Sequence, residues 1–570
     1  MGRRVLIVGG VAGGAACAAR LRRLDESASI ILLERGPHVS YANCGLPYYI
    51  GGLVEEQRLL VVRPELWRRQ FHVEVRTEHE AVAVDRARRR LRVRELCSGR
   101  EYEEAYDALV LAPGAAPVRP AWAIPLPGVF TLRTMADSIA LRAWILSRRA
   151  RRAVVIGAGY IGLEMVENLV RCGLEVTLLE KEAQVLPAWD PEMTAPLLDE
   201  LRRRGVEVCL ETCVSGLEPT TDGRPCARTA CGRSFDGDVI LLALGVKPEV
   251  KLAREAGLEI VELGGIRVDE QMRTSDPHIW AVGDAVEVRD WVTGRWRLAA
   301  LAGPAARQGR VAADAICGRP SRYRGSQATT ICGVFGLTAA ATGATERELR
   351  AAGIGDYEAI YVHPLHHAGY YPGAKRIHMK LIFSRRDGLI LGAQAVGQEG
   401  VDKRMDVIAM AMAKRATVFD LEEAELCYAP QYGSARDAVN LAGMVAANIL
   451  RRDLEPASWQ RLPAAEALLL DVRDEAEFLQ GHLENAVHIP LAELRGRLHE
   501  LPRDREIWVH CALGQRSYYA ARILSQNGFR ARSLPGGLLT WTLMRQAGRT
   551  PLPPEPPSRP ESDHRDWAES

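Results

Sequence analysis

No uninterrupted apolar stretch in this sequence approaches the roughly 18–20 residues that a membrane-spanning helix needs, so neither a bilayer segment nor a membrane partner is expected. An excess of one charge is missing as well. Lys+Arg 74 against Asp+Glu 72 leaves +2, too little for the electrostatic footprint of a polyanion binder, and nucleic acid is not an expected partner. The short basic runs at 148–152 and 202–204 flank apolar segments and read as solvated helix ends or turns. The 12 cysteines lack the framework of a disulfide-stapled domain, which points to a reducing compartment, here the cytoplasm. Cys226 with Cys231, and Cys209 with Cys213, have spacings seen in dithiols and metal pairs. They lie in strand or turn sequence without a nearby histidine or a second C-x2-C, so no metal site is expected. Nor is a secretory leader expected. Residues 1–19 imitate one, but Val5–Val8 reads as a buried strand, and Gly9, Gly10, Gly13 and Gly14 would break a leader helix.

What the chain has is length and repetition. Its 570 residues exceed the roughly 100–200 of one domain several times over, and three or four domains follow. Residues 4–34 read strand, glycine turn, helix, strand (VLIVGG, AGGAACAARLRRL, SIILLE), one βαβ unit. A second copy starts at Arg152 with AVVIGAGYIGLEMVENLVRCG and EVTLLEK. From 325 to 448 the pattern changes to alternating strands (HMKLIFS, ILGAQAVG) followed by long apolar helices, a separate α+β domain. Residues 451–463 are polar with two prolines and read as a linker, 467–544 form a further α/β unit, and 549–570 read as a disordered tail.

Each βαβ unit opens on a glycine turn that brings helix-terminal N–H groups to a pyrophosphate. In the first, Gly9-Gly10-Val11-Ala12-Gly13-Gly14, a valine replaces the middle glycine, and Glu34 follows 20 residues after Gly14 to meet a ribose hydroxyl. The second, Gly157-Ala158-Gly159-Tyr160-Ile161-Gly162, is complete, and Glu180 ends the next strand. A carboxylate there bonds the ribose 2′-hydroxyl and repels a 2′-phosphate, favouring NADH; the adjacent Lys181 softens that discrimination, so NADPH stays admissible.

With these turns, the segment Thr274–Asp284 and the returning motifs Ala112-Pro113-Gly114-Ala115 and Ala243-Leu244-Gly245-Val246-Lys247-Pro248, the chain resembles the two-dinucleotide-binding-domain flavoprotein disulfide reductases. The resemblance implies an α/β chain with two Rossmann-like domains. FAD would belong to 1–115 and 250–325, where Asp284 and Ala285 meet the flavin side chain, and NADH to 116–249. A dimerisation domain at 326–450 and a homodimer complete the family pattern.

Dithiol members carry C-x4-C after the first βαβ unit; here Cys44 is followed at the fifth position by Tyr49. A single cysteine beside a flavin works through a mixed disulfide, a persulfide or a sulfenic acid. The segment SYANCGLPYY, together with LAGPAARQGR at 301–310, Tyr370-Tyr371-Pro372-Gly373 and Tyr428-Ala429-Pro430, is similar to coenzyme A disulfide reductases and their persulfide- and polysulfide-reducing relatives. That resemblance implies Tyr370 and Tyr428 as proton donors or hydrogen-bond partners for the departing thiolate in the partner subunit's site. It also implies Arg20, Arg23, Ser40, Asn43 and Arg436 as coenzyme A contacts, with coenzyme A a substrate or a bound mixed disulfide.

A second reactive cysteine lies in His510-Cys511-Ala512-Leu513-Gly514-Gln515-Arg516-Ser517, where a strand turns into a helix and backbone N–H groups converge on sulfur. This loop, LLLDVRDEAEFLQGHLENAVHIP and Leu534-Pro535-Gly536-Gly537 resemble the rhodanese family, with C-x4-R rather than the longer phosphatase loop, so residues 464–548 form a rhodanese-like domain. The expected activity is reduction of coenzyme A disulfide, coenzyme A persulfide or polysulfide at Cys44, with Cys511 handling sulfane sulfur. Two alternatives stay open: an NADH oxidase or peroxidase cycling Cys44 through sulfenic acid, and a sulfurtransferase centred on Cys511. Oxidase and peroxidase relatives usually carry histidine where Ala12 stands.

Overall fold

The computed structural model describes residues 2–462 and 466–548, so the expected tail at 549–570 lies outside the described residues. The chain forms two compact units, one running to Ala183 and resuming over Gly205–Ser326, the other made of Gln184–Arg204 and the residues from Gln327 onward. No helix among the described residues is long and apolar enough to cross a membrane.

The first unit contains two five-stranded parallel sheets. In one, Arg4–Val8 lies between Ser29–Glu34 and Ala108–Leu111, with Ile279–Ala281 and Glu74–Thr77 outside them. Strands covered on both faces read as continuous apolar runs, and Val5, Leu6 and Ile7 are fully buried. In the other, Arg152–Ile156 pairs with Glu175–Leu179 and Val239–Leu242. The chain crosses between the sheets at Ala115–Pro117 and returns at Val246–Pro248, and these short strands pair antiparallel. The two returning motifs therefore meet at one crossing point. Helix Ala12–Leu24 lies against helix Ala302–Ile316 at a close crossing: a Cβ on Gly309 would collide with the carbonyl of Gly13.

The second unit has a five-stranded antiparallel sheet in the order Thr330–Val334, Leu337–Gly343, Ile390–Gly397, Ile377–Ser384, Tyr357–Val362. Lys380 projects from it into full burial, where its ammonium meets Asp190 at 2.8 Å and Glu192 and Glu346 at 2.6 Å each. This anchors helix Pro191–Arg203 in the unit. A four-stranded parallel sheet follows, in the order Val487–His488, Leu468–Asp471, Ile507–His510, Ala531–Ser533. The expected linker is not a loose tether. Ser533 donates its amide to the Glu455 carbonyl and Ala457 donates to that of Ser533, each at 2.9 Å, so the segment extends the sheet edge. Trp459 is buried and its indole donates to the carbonyl of Pro535 at 2.7 Å. Polar composition concealed three buried apolar residues, Leu454, Ala457 and Trp459.

Candidate active site

The first glycine turn, Cys44 and the Gly283–Ala285 turn converge on one cavity of about 720 Å3 in the first unit, within the roughly 300–1,000 Å3 of small-molecule sites. Gly9 has φ +97, and a Cβ there would collide with the carbonyl of Ala112. Val11 has φ −100, outside the positive-φ region that favours glycine, although its ψ of −127 is neither helical nor extended. Ala12 opens the helix and lines the cavity with Gly9 and Gly13, while Gly14 packs tightly on the Gly9 carbonyl. Glu34 accepts from the amides of Gly10 and Gly36, both at 2.9 Å, and borders the same space.

Asp284 lines the cavity within a single 3-10 turn, its carboxylate 2.6 Å from the Arg133 guanidinium, while buried Ala285 closes the turn from below. Buried Gln308 accepts from the Gly283 amide at 2.7 Å and fixes that turn. Arg133 escaped the sequence reading because it lies 151 positions from Asp284. The only local signal was the capping box of Thr134 and Asp137, which marks a helix start and says nothing of a distant partner.

Cys44 sits in the turn Asn43–Gly45 with its thiol accessible, next to the cavity. Crowding protein atoms still desolvate the thiol and push its pKa up; Glu164 and Asp284 act in the same direction and Arg133 opposes them. Glu164 itself is raised by burial and accepts from Tyr48 at 3.4 Å. Tyr49 donates to Glu56 at 3.1 Å, and all 12 cysteines are free, so Cys44 acts without a disulfide partner. Asn43 lines the cavity, and its buried Oδ1 has no hydrogen-bond partner among the described residues. Glycine backbone, a helix N-terminus and the Asp284 carboxylate together fit FAD.

At the second turn, Gly159 and Gly245 both face open space, leaving room for a pyrophosphate above helix Tyr160–Arg171, whose first turn carries Tyr160 and Ile161. Gly157, at φ +106, abuts the Ala243 carbonyl, and Gly162 packs on Gly157. Glu180 is buried and accepts from the amides of Ala158 at 2.7 Å and Glu182 at 3.0 Å.

The expected coenzyme A contacts separate. Asn43 borders the cavity. Ser40 does not: it is buried, and its hydroxyl accepts from the Trp67 indole at 2.9 Å. Arg20 is held by Asp314 at 2.8 Å, which neutralises it, whereas Arg23 is exposed. Arg22 between them is spent on backbone, donating to the carbonyls of Asp25, Glu26, Ala28, Phe71 and His72. In the second unit Tyr370 and Tyr428 are exposed with their hydroxyls 3.1 Å apart, and Arg436 is exposed next to buried Asp437.

Cys511 is buried, its sulfur accepting from the amides of Gly514 at 3.1 Å and Ser517 at 3.3 Å. Gly537 packs against the Cys511 carbonyl where a Cβ would not fit, so the Leu534–Gly537 motif buttresses the loop. Arg516, expected in the sulfur cradle, interacts electrostatically with Cys511 and is also held by Glu477 at 2.6 and 2.7 Å, reaching Asp474 at 3.4 Å. The reason is local: Glu477 lies in the first turn of helix Glu475–Leu479, where its own carboxylate also accepts from the Asp474 amide.

Comparison with known proteins matches residues 3–309 to the family described as pyridine nucleotide-disulphide oxidoreductase, 329–438 to its dimerisation domain and 456–544 to the rhodanese-like domain. The coenzyme A disulfide reductase of Staphylococcus epidermidis is 34% identical over 442 residues, 77% of this chain and 99% of that protein. The crystal structure of reduced Bacillus anthracis CoADR-RHD has 43% identity and a TM-score of 0.93, covering 96% of this chain and 99% of its own. A NAD-dependent persulfide reductase from A. fulgidus has 39% identity and a TM-score of 0.87, covering 94% and 100%.

Proposed function

The chain belongs to the pyridine nucleotide-disulphide oxidoreductase family, and on that premise we propose that it is an FAD-dependent reductase of coenzyme A disulfide and coenzyme A persulfide driven by NAD(P)H. The observation that carries this reading is a lone thiol, Cys44, beside a cavity of about 720 Å3 lined by the first glycine turn, and without a second cysteine to close a disulfide. FAD would be held by residues 1–115 and 250–325, and NAD(P)H by 116–249. When bound, FAD would carry the two electrons of a hydride from nicotinamide to the sulfur at Cys44.

The residues then have defined tasks. Cys44 thiolate attacks one sulfur of the disulfide, one coenzyme A departs as a thiolate, and the other stays as a mixed disulfide on Cys44. With coenzyme A persulfide, attack on the coenzyme A sulfur releases hydrosulfide, and attack on the outer sulfur releases coenzyme A. Burial and two carboxylates disfavour the Cys44 thiolate, and Arg133 works toward it. Steady-state turnover with coenzyme A disulfide, coenzyme A persulfide, polysulfide and peroxide tests the assignment. Peroxide as the fastest substrate would replace it with the sulfenic-acid cycle.

The dimerisation domain supports a homodimer in which Tyr370 and Tyr428 of the partner subunit protonate the departing thiolate. Light scattering should return twice the chain mass. The double variant Tyr370→Phe/Tyr428→Phe should lose roughly 10²-fold in kcat, the lower end for a general acid, with the dimer intact. An active monomer, or full turnover by the double variant, would remove the tyrosines from the mechanism.

Glu180 is proposed to read the ribose. Glu180→Gln keeps the side chain's bulk and one acceptor for the Ala158 amide but removes the charge facing a 2′-phosphate. The NADH to NADPH ratio of kcat/KM should narrow about tenfold, equivalent to ~1.4 kcal/mol. An unchanged ratio would show that the carboxylate serves only the turn.

A further inference from the structure

Two exposed tyrosines are kept in register from inside the second unit: we infer that the buried ion pair of Arg404 and Asp437 is a positioning device for the hydroxyls of Tyr370 and Tyr428. The inference rests on the proposed role of those hydroxyls as proton donors and names the residues that set their geometry.

Tyr370 and Tyr428 are 73% and 49% exposed, so little protein surrounds their rings. The 3.1 Å between their hydroxyls therefore depends on where the backbone of two separate segments stands. That bond raises the pKa of Tyr370 and favours its protonated form, as a proton donor requires. Tyr370 lies in a loop closed at its base, where the His366 amide donates to the Lys375 carbonyl at 2.8 Å. Tyr428 lies in the segment that leads to Asp437, the N-cap of helix Ala438–Leu450.

Arg404, on helix Val401–Ala413, joins the two segments. Its Nη2 donates to the His366 carbonyl at 2.6 Å and to Asp437 Oδ2 at 2.7 Å, Nε donates to the same carboxylate at 3.1 Å, and Nη1 donates to the Gly400 carbonyl at 3.1 Å. A planar fork serves acceptors in several directions at once, which a point-like ammonium does not. The two side chains are only 2% and 4% exposed, so water does not compete for these bonds. Gly400 stands at φ +70, and a Cβ there would collide with the guanidinium, so this backbone is shaped around Arg404. Asp437 is fixed from its other side by the Val439 amide at 3.1 Å. Nearer the tyrosines, the Ala368 amide donates to the carbonyls of Gly433 at 3.0 Å and Pro430 at 3.3 Å, tying one segment to the other. Arg404 thus sets the base of both segments, and the hydroxyls meet at their tips.

A mutant cycle on the full-length holoenzyme, with coenzyme A disulfide as substrate, tests this. Arg404→Met/Asp437→Asn removes both buried charges together and leaves an amide able to cap the helix, so neither partner is left as an unpaired buried charge. Its kcat and kcat/KM should fall together by about tenfold, the signature of a misplaced reacting group, while NADH reduces the flavin at the wild-type rate in a single turnover. Adding Tyr370→Phe/Tyr428→Phe should bring no loss beyond that of the tyrosine variant alone, because the ion pair acts through hydroxyls already removed. An unchanged kcat in Arg404→Met/Asp437→Asn, or losses that multiply in the combined variant, would overturn the inference. Flavin reduction slowed in equal measure would overturn it too, since that marks a general disturbance of the fold. Full turnover by the tyrosine variant on its own refutes the proton-donor reading, and the inference falls with it. Should the charge-free pair fail to give a dimer, the same cycle is run with Arg404→Lys, which keeps the ion pair and loses the fork, and the same outcomes decide.

Discussion

Replacing Cys44 with serine should abolish NAD(P)H-dependent reduction of coenzyme A disulfide and persulfide, by roughly 10⁴-fold or more, the scale of deleting a covalent nucleophile. The protein should still bind FAD, which NADH should still bleach in a single turnover. Cys44 sits in a short turn at the cavity's edge, whereas the contacts proposed for the dinucleotide come from Gly9, Gly13, Glu34 and Asp284. A hydroxyl has the thiol's size but neither its nucleophilicity nor its capacity to form a bond to sulfur. Stopped-flow reduction of the flavin beside steady-state coenzyme A release separates the two halves of the cycle. Sustained turnover by Cys44→Ser would refute the single-thiol mechanism; loss of FAD would show instead that the cysteine holds the turn in shape.

The contrast between these contacts and the rest of the site shows where sequence suffices. Strands such as Arg4–Val8 and Arg152–Ile156 were legible because burial on both faces writes an unbroken apolar run, and the glycine turns because collision with Ala112 or Ala243 forbids a side chain at Gly9 and Gly157. The misfit at Val11 misled only in weight, since its backbone never enters the region reserved for glycine.

Ion pairs assembled across the chain were not legible. Asp284 was found through its motif, but Arg133 was not, and Lys380 read as one polar residue of a strand although three carboxylates enclose it. Arginines pose the same problem at close range. Arg20, Arg22 and Arg23 occupy one helix, and their spacing cannot reveal that the first pairs with Asp314, the second binds backbone and the third is exposed. A guanidinium in sequence declares a charge but not its partner, and Arg516 belongs to the same class.

The division of labour between the two cysteines gives the second large expected effect. Cys511→Ser should leave reduction of coenzyme A disulfide unchanged, because that substrate docks at Cys44 in the first unit. Reduction of protein persulfide or polysulfide should fall by on the order of 10²-fold, as sulfane sulfur would no longer be loaded at the rhodanese loop. Serine fits the fully packed site: its oxygen can accept from Gly514 and Ser517 as the sulfur does, so the domain should fold normally. It cannot accept sulfur, so the defect is chemical rather than structural. Parallel assays with coenzyme A disulfide and with polysulfide read the two routes on one preparation. Equal rates for both substrates in mutant and wild type would remove the fused domain from the reductase cycle. Loss of coenzyme A disulfide reduction along with polysulfide reduction would make Cys511 a resolving thiol for Cys44, because only a sulfur shared by both routes would fail both.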